Sequence, residues 1–149
     1  MRYFFTADTH FGHDAIIKYC DRPFKHSNEM DRVLVDNWNA VVGKKDIVYH
    51  LGDFAFGSSD YAAKMLNKLN GSIHLIEVNH DDKALSSIKS KFASYKQLSD
   101  IKIHGQKITL CHYPMLSWRS SFHGAWHLFG HVHGKLENPA PFSIDVGVD

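Results

Sequence analysis

The sequence predicts an α/β domain built as a two-sheet β-sandwich flanked by helices, four layers in all. Three observations carry this. Five short runs rich in Tyr, Phe, Ile, Leu and Val are each bounded by Gly, Asp or Asn, the pattern of buried strands. Amphipathic helical stretches separate the early runs, giving β-α-β-α-β-α. After Tyr95 the chain turns mostly to strands, which adds a second sheet to the first.

In order, the predicted strands are Arg2 to Ala7, Asp46 to Leu51, Ser72 to Val78, Lys107 to Cys111 and Trp126 to Phe129. The first helix fits Asn28 to Val42, with Met30, Val33, Leu34, Trp38, Val41 and Val42 on one stripe, Ser27 as N-cap and Gly43 as stop. A second fits Ser59 to Leu69, with Tyr61, Met65 and Leu69 inward and Gly71 beyond its end, and a weaker third covers Lys83 to Phe92. His104-Gly105-Gln106 reads as a hairpin turn between Ile101-Ile103 and Ile108-Leu110.

The 149 residues suit one domain with a real core. A formal charge of +1, from 17 Lys and Arg against 16 Asp and Glu, includes no basic block, so tight non-specific binding to nucleic acid is disfavoured. Two cysteines, Cys20 and Cys111, are too few for a disulfide framework, and neither has the setting of a nucleophile. With no signal peptide and no apolar run of membrane-spanning length, the expected compartment is the cytoplasm and no membrane partner is expected.

Chemistry concentrates where the predicted strands end: Asp8-Thr9-His10, Gly52-Asp53, Asn79-His80-Asp81, His112 and Gly130-His131-Val132-His133. The chain has 12 histidines, and spacing singles out these few. Asp8 and His10 are two apart at a strand exit and can face one side of the backbone; His131 and His133 repeat that spacing between Gly130 and Gly134, which permit tight turns. Mixed N and O donors of this kind suit Mn²⁺, Fe or Zn²⁺ better than Ca²⁺ or a thiolate-bound structural zinc.

In order and separation, the series D-x-H, G-D, N-H-D, H and G-H-x-H resembles the calcineurin-like metallophosphoesterase superfamily, from Asp8 to His133. Asp8-Thr9-His10-Phe11-Gly12-His13 and Cys20-Asp21-Arg22-Pro23-Phe24 are similar to a small bacterial and phage branch of it. The resemblance implies a two-sheet sandwich flanked by helices, in agreement with the layer order above. It also implies two divalent transition ions, Mn²⁺ first with Fe, Zn²⁺ or Ni²⁺ as alternatives. Asp8, His10 and His133 would hold the first ion and Asn79, His112 and His131 the second, with Asp53 bridging both. Two ions about 3.5 to 4 Å apart hold a hydroxide and clamp an in-line displacement at phosphorus. His80 would then be the general acid, with Asp81 orienting it.

Substrate contacts are expected from His13, from Arg22 in its rigid Arg22-Pro23-Phe24 setting, and from Arg119, which would pair with a nucleotide, whereas Trp118 beside it is read as a loop tryptophan covering the core rather than one that stacks on a base. His26, His50, His74, His104, His123 and His127 are assigned to structure. Two departures stand out. Val78 occupies the position where the family has Gly, and a β-branched residue tolerates positive φ poorly, so either the turn is rebuilt or Asn79 is displaced, with strain expected at Val78 if the turn demands a positive φ. The chain also stops at Asp149, just past Ser143-Ile144-Asp145-Val146-Gly147-Val148, a strand region that relatives continue, so the sheet edge is expected to be either incomplete or completed by another subunit in a homo-oligomer. The expected function is hydrolysis of a phosphodiester or phosphomonoester on a small, nucleotide-like substrate. A nuclease and a non-catalytic interaction module of the same fold are the alternatives.

Overall fold

A computed structural model describes residues 1–78 and 85–149 of the chain. Two four-stranded sheets make up its centre. The first holds β1 (Tyr3–Thr6), β2 (Ile47–His50), β3 (Ser72–Ile76) and β4 (Ser94–Lys96), side by side in that order and all parallel. The second holds β5 (Leu98–Ile103), β6 (Gln106–Cys111), β7 (Trp126–Phe129) and β8 (Ser143–Asp145). Here β5 and β6 form an antiparallel hairpin, whereas β6, β7 and β8 run parallel. The helices are α1 (Asp14–Tyr19), α2 (Ser27–Val41) and α3 (Ser59–Leu66).

Period-two alternation in the strands sorts the core into two layers. Phe5, Tyr49, Leu51 and Ile76 face Ile108, Leu110 and Leu128 of the second sheet. Phe4, Val48, Ile73 and Leu75 face the opposite way, onto Val35, Trp38 and Val42 at α2 and Ala62, Met65 and Leu66 of α3. β1, β2 and β3 are thus packed on both faces, which is why they read as nearly continuous apolar runs, whereas β5 alternates exposed and half-buried residues. Fully burying a side chain such as Leu75 or Leu110 stabilises the fold by roughly 1.5–3 kcal/mol.

The predicted two-sheet sandwich is the observed one, with differences in its elements. Ser27 is the first residue of α2 rather than its cap, and the inward stripe runs through Asp31, Val35 and Trp38 while Val41 is exposed. Ser58 caps α3, accepting a hydrogen bond from the Tyr61 N–H at 3.2 Å. The sequence patterns did not single out α1, of six residues, or β4, of three. The helix expected over Lys83 to Phe92 lies partly outside the described residues; its described end contains a 3₁₀ turn at Lys89–Lys91. In the hairpin, Ile103 pairs with Gln106, leaving His104-Gly105 as a two-residue loop with φ of 48° and 88°. No described helix is long and apolar enough to cross a membrane.

Candidate metal centre

Because β1, β2 and β3 are parallel, their C-terminal ends share one edge of the first sheet, and β6 and β7 do the same in the second. Backbone bonds draw the exits together. The Asp8 N–H donates to Gly52 O at 3.0 Å, that of His10 to Asp53 O at 2.9 Å and that of Gly130 to His112 O at 2.9 Å. Between the two sheets, the His131 N–H donates to the Asp8 carboxylate at 3.0 Å, and Ala7 bridges to Gly147 beyond β8.

Six of the seven expected ligands lie among the described residues, and they form two groups. Asp8, His10 and His133 offer donor atoms within 4.8 Å of one another, and so do Asp53, His112 and His131. One oxygen, Asp53 Oδ2, lies 3.5 Å from His10 Nε2 and 3.5 Å from His112 Nε2, and so faces both groups. Asn79, His80 and Asp81 fall outside the described residues.

The glycines of the two motifs are there for space. A Cβ on Gly52 would lie 2.6 Å from His112 Nδ1, and one on Gly130 would lie 2.5 Å from both Asp8 Oδ2 and Ala7 Cβ. The backbone is unusual as well. Nine described non-glycine residues have positive φ, and five are expected ligands: Asp8 (59°), His10 (50°), Asp53 (52°), His131 (71°) and His133 (49°). Such conformations cost free energy and cluster where function over-determines the chain. Val78, where strain was expected, is not among the nine; it is buried beyond the end of β3. The left-handed conformations fall on expected ligands instead.

Electrostatics and hydrogen bonding suit cation binding. Burial, with the Arg22 guanidinium adding to it, lowers His10 to about 3, so its ring is neutral and a lone pair is available. Its Nε2 is buried without a hydrogen-bond partner, which is costly unless something occupies the space it faces. Burial likewise lowers His112. The His112 Nδ1–H donates to Leu51 O at 2.6 Å, which fixes the tautomer and leaves Nε2 as the ligand atom toward Asp53. Burial pushes Asp8 up to about 7, against the opposing effect of His133 and with Asp53 adding to the rise. A bound cation would reverse that penalty. Buried carboxylates, neutral imidazoles and an orphaned ring nitrogen together fit divalent transition ions.

The expected substrate contacts divide. His13 sits beside the centre, its ring 5.4 Å from that of His10 and stacked on half-exposed Phe56 at 4.2 Å. Arg22 is not free to face a phosphate. Its guanidinium pairs with both Asp149 oxygens at 2.7 and 2.8 Å and donates to the backbone oxygens of Asp8 and Thr9. Arg119 is exposed, 3.8 Å from Asp100, beside a hollow of about 260 Å³ at the middle of the β5–β6 pair rather than at the strand exits. Trp118 is buried and donates to Ala125 O, covering the core as the sequence predicts. His50 is structural, at 2.9 Å from the Thr9 hydroxyl.

Two residues near the centre escaped the sequence reading. Asp149 lies 2.6 Å from His133 Nδ1, and buried Asp31 accepts from the Gly12 N–H and the Tyr61 hydroxyl, bracing the loop that carries His10. Asp31 left a trace as a carboxylate on the apolar stripe of α2; Asp149 left none.

No protein-family model matches the chain. An uncharacterized protein of Methanocaldococcus jannaschii, MJ1445, is 40% identical over 96% of the chain and 79% of its own length. Among solved structures, a protein of unknown function from Aquifex aeolicus superposes with a TM-score of 0.79 at 26% identity, over 99% of the chain and 91% of that protein. A conserved uncharacterized protein of Streptococcus pneumoniae, described as a predicted phosphoesterase, superposes with a TM-score of 0.50 at 15% identity, over 97% of the chain and 70% of that protein. At that identity the likeness concerns the fold.

Proposed function

We propose that this chain, which belongs to the same family as the uncharacterized protein of Methanocaldococcus jannaschii, is a two-metal phosphoesterase of the calcineurin-like superfamily. It would hydrolyse a phosphodiester or phosphomonoester bond in a small, nucleotide-like substrate. The observation that carries the proposal is the position of Asp53 Oδ2, 3.5 Å from one ring nitrogen of each ligand group. Two ligand groups sharing a carboxylate suit a pair of ions better than a single one. The fold shared with a predicted phosphoesterase supports the same reading.

Asp8, His10 and His133 would hold one ion and His112, His131 and Asn79 the other, with Asp53 common to both. When bound, such a pair acts as a Lewis acid on phosphoryl oxygens and lowers the pKa of water into the neutral range. The chain's own residues supply the rest. Neutral His10 and His112 donate lone pairs without adding positive charge, and Gly52 and Gly130 leave room for the donor groups to converge. His80 would give a proton to the departing alkoxide, and Asp81 would orient that imidazole. His13, on the rim, would face the substrate.

Metal analysis of purified protein, together with hydrolysis of a chromogenic phosphomonoester and phosphodiester, tests the proposal. About two ions per chain and metal-dependent turnover are expected, with Asp53→Asn lowering occupancy of both ions. A stoichiometry near zero in metal-replete neutral buffer rejects it, and loss of one ion alone in Asp53→Asn rejects the bridging role.

A further inference from the structure

The Arg22-Pro23-Phe24 segment leads away from the substrate and toward His133. The side chains of Arg22 and Asp149 are 5% and 9% exposed, and they meet in a bidentate pair, Nε to Oδ1 at 2.7 Å and Nη2 to Oδ2 at 2.8 Å. The same Asp149 Oδ2 lies 2.6 Å from His133 Nδ1. The remaining guanidinium donors go to Asp8 O at 2.7 Å and Thr9 O at 3.1 Å, the backbone that presents Asp8 and His10, and to Met30 Sδ at 3.3 Å. One buried arginine therefore ties the exit of β1 to the carboxylate that holds His133, although Arg22 and Asp149 are 127 residues apart.

We propose that Arg22 and Asp149 are positioning residues that hold His133 with its Nδ1 proton on Asp149 and its Nε2 presented to Asp8 and His10. They would thereby set the affinity of that one ion group. The inference rests on the two-ion reading above. A ligating histidine takes its tautomer and ring orientation from the partner of its other nitrogen, and loss of that partner typically costs about 10- to 100-fold in metal affinity. The arrangement parallels that of His112, which Leu51 O holds in the second group. Arginine suits the task because its planar fork engages both carboxylate oxygens and still reaches two carbonyls.

Cys20, His133 and Asp149 also offer donor atoms within 4.8 Å of one another. A third cation there is disfavoured, because the Arg22 guanidinium already occupies both oxygens of Asp149 and would repel it. Burial also raises the Cys20 thiol, which favours its neutral form.

Mn²⁺ titration by calorimetry on wild-type protein, Asp149→Asn and Arg22→Lys tests the clamp, with circular dichroism to verify folding. The expected result for Asp149→Asn is one class of ion weakened by about 10- to 100-fold and the other unchanged. Arg22→Lys keeps the charge but loses the fork, and a weaker effect on the same class is expected. Two classes of wild-type affinity in Asp149→Asn overturn the inference. A measurement needing no variant is the long-range ¹H–¹⁵N spectrum of the metal-free wild-type protein at pH 9. A protonated Nδ1 on His133 is expected, and a protonated Nε2 overturns the clamp. If the wild-type protein binds no ion, the two-ion reading fails, and the spectrum still decides the tautomer.

Discussion

Replacing Gly52 by alanine separates two effects that the structure places at one residue. Gly52 has φ of +93°, so any L side chain there is strained, at a cost of about 1–2 kcal/mol. The new Cβ would also lie 2.6 Å from His112 Nδ1, 3.0 Å from its Cγ and 3.1 Å from Ile76 O. That ring is buried and held to Leu51 O, so it has little room to retreat. Overpacking of this kind costs a further ~1–3 kcal/mol, which brings the sum to about 2–5 kcal/mol. At ~2–4 °C per kcal/mol for a chain of this size, the melting temperature should fall by roughly 4–20 °C. Gly57→Ala is the control, because Gly57 has φ of +105° with nothing within 4 Å of its would-be Cβ. Both variants carry the backbone cost and the same unfolded-state effect, so their difference isolates the clash with His112. Thermal unfolding in chelator followed by Mn²⁺ titration should show Gly52→Ala the less stable by ~1–3 kcal/mol. It alone should weaken the ion held by Asp53, His112 and His131. If the two variants melt together and bind metal alike, the packing of Gly52 under His112 is refuted.

His80→Ala should keep both ions but slow turnover by roughly 10²- to 10⁴-fold on esters with poor leaving groups, and by less on nitrophenyl esters. An equal loss on both would move His80 out of the proton-donor role. In metal-free protein, burial disfavours the charge of the Asp8 carboxyl and pushes it from its ordinary 3.8 up to about 7. A raised folded pKa contributes stability that is fully present below about 3.8 and lost as pH rises through about 7. Chelator-treated protein should therefore lose this contribution between those pH values. Added Mn²⁺ should stabilise more at pH 7.5 than at pH 5, since protons compete for the carboxylate. Metal stabilisation independent of pH across this range would show that Asp8 is not a ligand.

Much of the candidate centre was legible because its chemistry sits at strand ends, where a parallel sheet gathers it at one edge. The runs ending at Ala7, Leu51 and Phe129 announced both the strands and the places where Asp8, Asp53 and His131 would meet. The reason Asp8 and His10 converge was not legible. Spacing of two suggests neighbours on one face of an extended strand, but both have left-handed backbone and converge through tight local turns. The pairing of Arg22 with Asp149 was not legible because nothing local announces a partner 127 residues away. Nor was the place of Arg119 legible, beside the middle of the hairpin and 3.8 Å from Asp100. Helix α1 and strand β4 escaped because six and three residues are too few for periodicity to register.

The left-handed residues explain why ligand and turn coincide at this centre. A bulky non-glycine residue in that conformation costs about 1–2 kcal/mol, and five together would approach the whole stability of a typical domain, about 5–15 kcal/mol. All five left-handed candidate ligands are aspartate or histidine, types several-fold enriched at positive φ because their short polar side chains find local hydrogen bonds. The residues that ligate a metal are thus also among those that tolerate these turns most cheaply. Valine has neither property, and Val78 is absent from the left-handed set and packs in the core instead. What strain remains is offset by the bonds the turns create: the Asp8 N–H to Gly52 O, the His10 N–H to Asp53 O and the His131 N–H to the Asp8 carboxylate. Each of these bonds ties one ligand-bearing loop to another. The turns that cost free energy therefore bring Asp8, His10, Asp53 and His131 together, an arrangement that favours tight metal binding.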